Sequence, residues 1–349
     1  MAAAPQPEPT VLLRRRRRRT LVSIALLAVL LLVSIPWACT IGYVDIPLGG
    51  VVRALSRPLD SSLSRQDIII LDVRLPRVIL AALVGGALAL SGCTMQGLFK
   101  NPMASPYILG ISSGAAFGAA LATLLGGGLA LGVFAIPLSA FLFSTIAVFT
   151  VYLIARRDGT TPVETLLLAG IAIGLFFSAA VSFLKYVADE SDLRTIVFWL
   201  MGGLWASNWQ SVAVVAAPIV ITSIALTFLA RRLNVMVLGE EHALNLGVNV
   251  ERLKTVLLLF ASLLASSAVC FVGIVGFVGL IVPHVMRLIV GPDHRVLLPC
   301  SALGGGLFLV WADTVARTIA APTEVPVGII TGLLGSVFFV FLLRRRKQV

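Results

Sequence analysis

Charge is scarce in this sequence. Asp, Glu, Lys and Arg together make up 12% of its 349 residues, about half of what a soluble globular domain carries, and the mean hydropathy is +1.02; a fold solvated by water on all sides is excluded. Histidine occurs three times, at His242, His284 and His294, without an HExxH pattern. The four cysteines, Cys39, Cys93, Cys270 and Cys300, lie scattered in apolar runs with no CxxC spacing and no neighbouring histidine. They read as small packing residues, and no metal site is expected. A nucleotide-binding P-loop is missing as well. The one Lys-Thr pair, Lys254-Thr255, has Leu253 and Val248 where that motif needs glycine, so the chain does not hold ATP in that way. No GxSxG surrounds Ser91, Ser112 or Ser113, and no nucleophile has a base beside it. No catalytic residue is expected, and the chain is not read as an enzyme. Alternating ten-residue strands are absent too, which argues against a transmembrane barrel.

What is present is a series of apolar runs of about 20 residues, each long enough to cross a hydrocarbon core of about 30 Å as a helix. Ten are expected, at 21–40, 76–97, 107–125, 132–155, 163–186, 210–230, 254–272, 273–290, 297–316 and 326–343. The fold class is all-α and polytopic, and the boundary between the seventh and eighth runs, within 272–279, shows glycines but no charged break. Most of the 27 Lys and Arg residues then fall on one side, in Arg14 to Arg19, the inner loops and Arg344 to Lys347. The other side holds Arg53, Arg57, Arg65, Arg74, Arg77, Lys185, Arg194 and Arg317. This bias puts both termini in the cytoplasm. The net charge of +11 is thereby a matter of topology, and no nucleic-acid partner is expected. The basic block before Leu21 is followed by a run too long for a signal-peptide core and by no small-x-small cleavage site, which reads as a retained first helix. The organisation expected is a basic cytoplasmic arm at 1–20, a transmembrane domain at 21–343 containing an inner loop at 231–254, and a basic tail at 344–349.

Two connections have character of their own. Residues 187–209 combine acids with Trp199, Trp205 and Trp209 and read as either an interfacial helix or a plain connector. The 231–254 loop suits two short helices around a glycine turn. Few ionisable groups lie inside the runs. Asp313 and Arg317 are four apart, on one helix face in a favourable order, while Glu164 and Lys185 sit near the ends of their run, where snorkelling accounts for them. No chain of buried acids or histidines is assembled, which demotes an ion-coupled secondary transporter to the alternative reading.

Ordered motifs run through the chain: Arg74-Leu-Pro-Arg77, Gly85-Gly86, Gln96-Gly-Leu-Phe-Lys-Asn-Pro-Met-Ala-Ser-Pro106, Leu109-Gly-Ile-Ser-Ser-Gly114, Trp199-Leu-Met-Gly-Gly203, Leu238-Gly-Glu240, Gly276-Phe-Val-Gly-Leu-Ile-Val-Pro-His284, Asp293-His-Arg295, Ala312-Asp313 and Pro326-Val-Gly328. Over roughly residues 40–345 this pattern resembles the permease subunits of ABC importers for iron-siderophores, haem and cobalamin. The resemblance implies a multi-pass protein of the bacterial inner (plasma) membrane. It implies a homodimer around a central path, two separate cytoplasmic ATPases that carry ATP and Mg, and a periplasmic or extracellular substrate-binding protein. It carries ATPase coupling to Leu238, Gly239, Glu240, Glu241, Ala243, Leu246 and Gly247, and docking of the binding protein to Arg74, Arg77 and Arg317. The sequence alone would read Arg74 and Arg77 as membrane-end anchors, but their outer location against the positive-inside bias favours docking. The cytoplasmic gate falls on Asn101 and Met103, otherwise an ordinary turn, with a second contribution near Val163 and Glu164, where cobalamin-type relatives tend to small hydroxylated residues. That departure weighs against cobalamin, and the expected order of cargo is iron-siderophore, then haem, then cobalamin.

Overall fold

The computed structural model describes residues 9–56, 64–126 and 132–346. In chain order the α-helices are α1 (Pro9–Thr40), α2 (Leu48–Ser56), α3 (Arg65–Ile68), α4 (Leu75–Leu98), α5 (Ile111–Leu124), α6 (Ala135–Ala155), α7 (Val163–Val187), α8 (Glu190–Met201), α9 (Trp209–Val237), α10 (Glu240–Asn245), α11 (Val250–Val272), α12 (Val278–Val290), α13 (His294–Thr318) and α14 (Val327–Arg346). A π-helical stretch, Ile69–Arg74, joins α3 to α4 without a break, and a 3₁₀ turn, Pro106–Leu109, leads into α5. Among the described residues there is no β-strand.

Among the described residues, seven helical segments are long and apolar enough to cross a membrane: Thr20–Thr40, Arg65–Leu98, Gly132–Ala155, Val163–Val187, Trp209–Val237, Val250–Val272 and His294–Thr318. Three apolar helices are shorter, Ile111–Leu124, Val278–Val290 and Val327–Leu342. A helix satisfies each backbone N–H and C=O within its own segment, which lipid requires of any span not closed into a barrel.

Packing is centred on α4. It lies against α13, α11, α12 and α9, and most of its residues are buried. Small residues allow this. A Cβ on Gly85 would lie 2.2 Å from the carbonyl oxygen of Gly305, and one on Gly305 would lie 2.2 Å from that of Gly85; the α4 and α13 backbones touch where neither residue has a side chain. Around this centre α1, α6, α7 and α9 keep large apolar side chains outward, among them Leu32, Phe149, Leu168 and Phe228, as suits surfaces facing lipid or a second subunit.

Several boundaries differ from those expected. α11 ends at Val272, where Gly273 takes φ +70°, and α12 starts at Val278 after Phe277 at φ +65°. The eighth run therefore begins five residues later than 273, the glycine-rich stretch forming a nonhelical link. The first four of the expected inner-loop residues after Ala230, and three more to Val237, continue α9. The basic arm is not separate in its described part, since residues 9–20 are the first turns of α1; residues 1–8, and 347–349 of the tail, lie outside the described residues. The tryptophan-rich connection does contain a helix, α8, whose N-cap Asp189 accepts the backbone N–H of Asp192 at 2.8 Å.

Candidate functional site

Three regions gather the residues singled out by sequence. At the Arg74 end of α4, the Arg77 guanidinium holds Asp313 of α13 through Nη2 to Oδ1 at 2.9 Å and through Nε to both carboxylate oxygens at 3.1 Å. Its Nη1 donates to Glu324 at 2.8 Å. Arg317 comes within 3.1 Å of Asp313, an ion-pair contact without an aligned hydrogen bond. Its remaining nitrogens reach Thr314 Oγ1 and the carbonyls of Ala38 and Ile41. Arg74 donates to the carbonyls of Cys39, Thr40 and Val44, closing the end of α1. The expected Asp313–Arg317 pair is thus one side of a larger network in which α4 is the main partner. All three arginines are buried and occupied by partners within the chain, so none stands out as a free surface cation. Glu324, which sequence reasoning passed over, is the accessible member, its side chain 41% exposed. A single acid, Asp313, in an otherwise apolar helix was the signal that could have pointed to the network.

At the opposite end of α4, the Asn101-Pro102-Met103 turn is closed by the Asn101 side chain, whose Oδ1 accepts the Met103 N–H at 2.9 Å, and by Ala104 N–H to the Asn101 carbonyl at 3.0 Å. Pro102 cannot propagate a helix, and the asparagine supplies the acceptor that the turn lacks. The two expected gate residues face different neighbours. Asn101 borders an open groove of about 440 Å³ shared with Tyr107, Leu167, Gly170 and Leu175. Met103 lines a gap of about 10 Å³ against His284, Phe338 and Leu342. Tyr107 anchors the segment by donating to the Val275 carbonyl at 2.7 Å. At the start of α7, Val163 packs on the core while Glu164 is exposed.

The third region is the loop from Leu238 to Val248. Gly239, at φ +140°, and Gly247, at φ +76°, bracket α10 in conformations that favour glycine. Ala243 is fully buried against the bundle, so of the seven coupling candidates it serves as the floor of the helix and presents no surface. Leu238 and Leu246 are 73% and 67% exposed, and Leu244, missed by sequence, is 59% exposed; together they make an apolar face beside the accessible Glu241. Glu240 accepts Lys254 Nζ at 2.8 Å. Nearby, Asn234 donates to Asp293 at 2.7 Å and accepts the His294 backbone N–H at 2.9 Å, which clamps the end of α9 to the start of α13. The Asp293 carboxyl is held well below the usual carboxylate range, first by the Arg295 guanidinium at 2.7 Å and then by Asn234, against the opposing effect of burial. Its contribution to stability is full above about pH 4 and fades only as pH falls toward its lowered value.

Among the described residues, no group of three or more His, Cys, Asp or Glu comes together to hold a metal ion.

These three regions sit on a multi-pass helical bundle, and comparison with known proteins places that bundle among membrane transport proteins. The chain belongs to the FecCD transport family, whose model matches residues 26–345. It is 49% identical over 303 residues to the cobalamin import system permease protein of Halobacterium salinarum, covering 86% of this chain and 80% of that protein. It is 45% identical over 280 residues to the hemin transport system permease protein of Yersinia pestis, covering 80% and 84%. In structure it is similar to a metal-chelate type ABC transporter in an inward-facing conformation, with a TM-score of 0.82 and 35% identity over 92% of this chain and 98% of that one.

Proposed function

We propose that this chain is the membrane-spanning half of an ABC importer that carries a bulky metal chelate into the cytoplasm. Two copies enclose the path; separate ATPase subunits hold ATP and Mg; an external binding protein delivers the cargo. The observation that carries this reading is the family match across residues 26–345, together with a chain that has no P-loop of its own and so takes its drive from outside. The three shorter apolar helices complete ten crossings with both termini cytoplasmic, as the charge bias requires, in the bacterial inner membrane. The α10 loop receives the ATPase through Leu238, Leu244 and Leu246, and Asn101 with Met103 narrows the path at the same side. For cargo, the relatives at 49% and 45% identity are named for cobalamin and hemin, which moves tetrapyrrole chelates ahead of the siderophore-first order expected from sequence.

The test is uptake in proteoliposomes containing this chain, its ATPase and its binding protein, with cobalamin, haem and a ferric hydroxamate offered in parallel. ATP-dependent uptake is expected, and Gly239→Pro, which cannot adopt φ +140°, should abolish it while leaving the bundle assembled. Uptake driven by a proton or sodium gradient without ATP would favour the secondary-transporter alternative instead.

Docking at the Arg74 end is proposed to work by exchange. An acidic side chain of the binding protein replaces Glu324 on the outward Nη1 of Arg77, since the other guanidinium nitrogens are fixed inward. Glu324→Gln removes the competing charge and should tighten binding-protein affinity while lowering fold stability by no more than about 1 kcal/mol. Weaker or unchanged binding in a surface-immobilised titration would count against exchange.

A further inference from the structure

Lys254 stands one turn inside α11, 6% exposed, and a buried ammonium there needs anions to hold it. It has two. Nζ donates to Glu240 Oε2 of α10 at 2.8 Å and to Glu251 Oε1 at 3.0 Å. The other oxygen of Glu251, Oε2, accepts the backbone N–H of Thr161 at 2.9 Å. Thr161 is buried and lies two residues before the first residue of α7. One unbroken run of charge-assisted bonds therefore leads from α10 through Lys254 and Glu251 to the start of α7.

The far end of this run is stiff. The turn before it is closed by Arg157 N–H to Thr160 carbonyl at 2.9 Å and Thr160 N–H to Arg157 carbonyl at 3.0 Å. Pro162 then fixes the backbone immediately ahead of α7. A displacement applied to Thr161 is passed to the helix and not absorbed by slack. Further along α7, Leu167, Gly170 and Leu175 form one wall of the groove whose other side carries Asn101, so a tilt of α7 changes the width of that groove.

Resting on the permease reading above, we infer that Lys254 and Glu251 are positioning residues for transport: they convey movement of the 238–248 loop to α7 and so tie nucleotide-driven motion to opening of the path. A mere staple between α10 and α11 would need Lys254 and Glu240 alone; the second arm, from Glu251 to the Thr161 backbone, serves no helix cap and joins a different element.

The experiment uses the full transporter in proteoliposomes, with ATP hydrolysis and cargo uptake measured on the same vesicles. Lys254→Met, which keeps much of the stem and removes the charge, is expected to hydrolyse ATP at close to the normal rate while uptake per ATP falls about fivefold or more, the range of a single allosteric coupling. Lys254→Arg should restore most of that ratio. Spin labels at Glu241→Cys and Glu164→Cys, both exposed, can be placed selectively because the native cysteines are buried. Their separation should stay constant through the ATP cycle with Lys254 present and change on ATP binding in Lys254→Met. Should Lys254→Met fail to assemble, Glu240→Gln, at the accessible end of the bridge, must show the same fall in uptake per ATP. Unaltered uptake per ATP in these variants, with unaltered label separation, overturns the inference alone. Wild-type vesicles without ATP-dependent uptake overturn the permease reading and the inference with it.

Discussion

Replacing Asp313 by alanine is expected to cost the fold about 3–5 kcal/mol, because it leaves two buried guanidiniums without their shared anion. Asp313 is 1% exposed and takes three hydrogen bonds from Arg77, with Arg317 at 3.1 Å. Neither cation has another full charge as close, apart from the single Glu324 contact on Arg77. Both guanidiniums are buried, so water does not readily take over the lost pairing, and the helices carrying the two arginines must part or admit a defect. Asp313→Asn keeps oxygen acceptor geometry and loses the charge, and should recover only part of the loss. Thermal denaturation of detergent-purified protein reads the effect. An Asp313→Ala midpoint equal to the wild type would show that the network is dispensable and that α4 and α13 are held by their glycine contact alone.

This network also shows where the sequence stops speaking. Arg77 and Asp313 are 236 residues apart, and no local periodicity reports a pairing at that range, whereas Asp313 and Arg317, four apart on one helix, were readable from spacing. The apolar helices were legible because a span of about 20 residues must carry its hydrophobicity continuously. Their ends were less so. α9 runs on to Val237 through Arg231 and Arg232, since a helix leaving the membrane can continue as helix once its side chains become polar. The start of α12 depended on Phe277 in a left-handed conformation, which composition does not announce. In the 238–248 loop the turn glycines were legible, but Ala243, carried over among the expected coupling residues, is buried, and the exposed Leu244 was not singled out; six residues of α10 are too few for an amphipathic period to separate the inner face from the outer.

A valine at Gly92 should be severely damaging, at or beyond the upper end of the roughly 1–3 kcal/mol range for overpacking. A Cβ on Gly92 would lie 1.9 Å from the carbonyl oxygen of Gly279 and 2.6 Å from its Cα. These are backbone atoms, and no rotamer change moves them aside. α12 would have to lift from α4 by more than an ångström, and the consequences follow from what else joins the pair. Gln96, one turn along α4, donates to the Gly279 carbonyl at 3.3 Å and accepts from Arg287 Nη2 at 2.9 Å, and both bonds would stretch. α12 also carries Ile281 and His284, which close the gap around Met103, so the proposed gate would loosen along with the core. Gly276→Ala is the control, since a Cβ there meets nothing within 4 Å, and it should change stability by no more than about 0.5 kcal/mol. Gly92→Ala should already lower the thermal midpoint, Gly92→Val should prevent recovery of monodisperse protein, and wild-type behaviour of the valine variant would mean that α12 is not seated on α4 through Gly92 and Gly279.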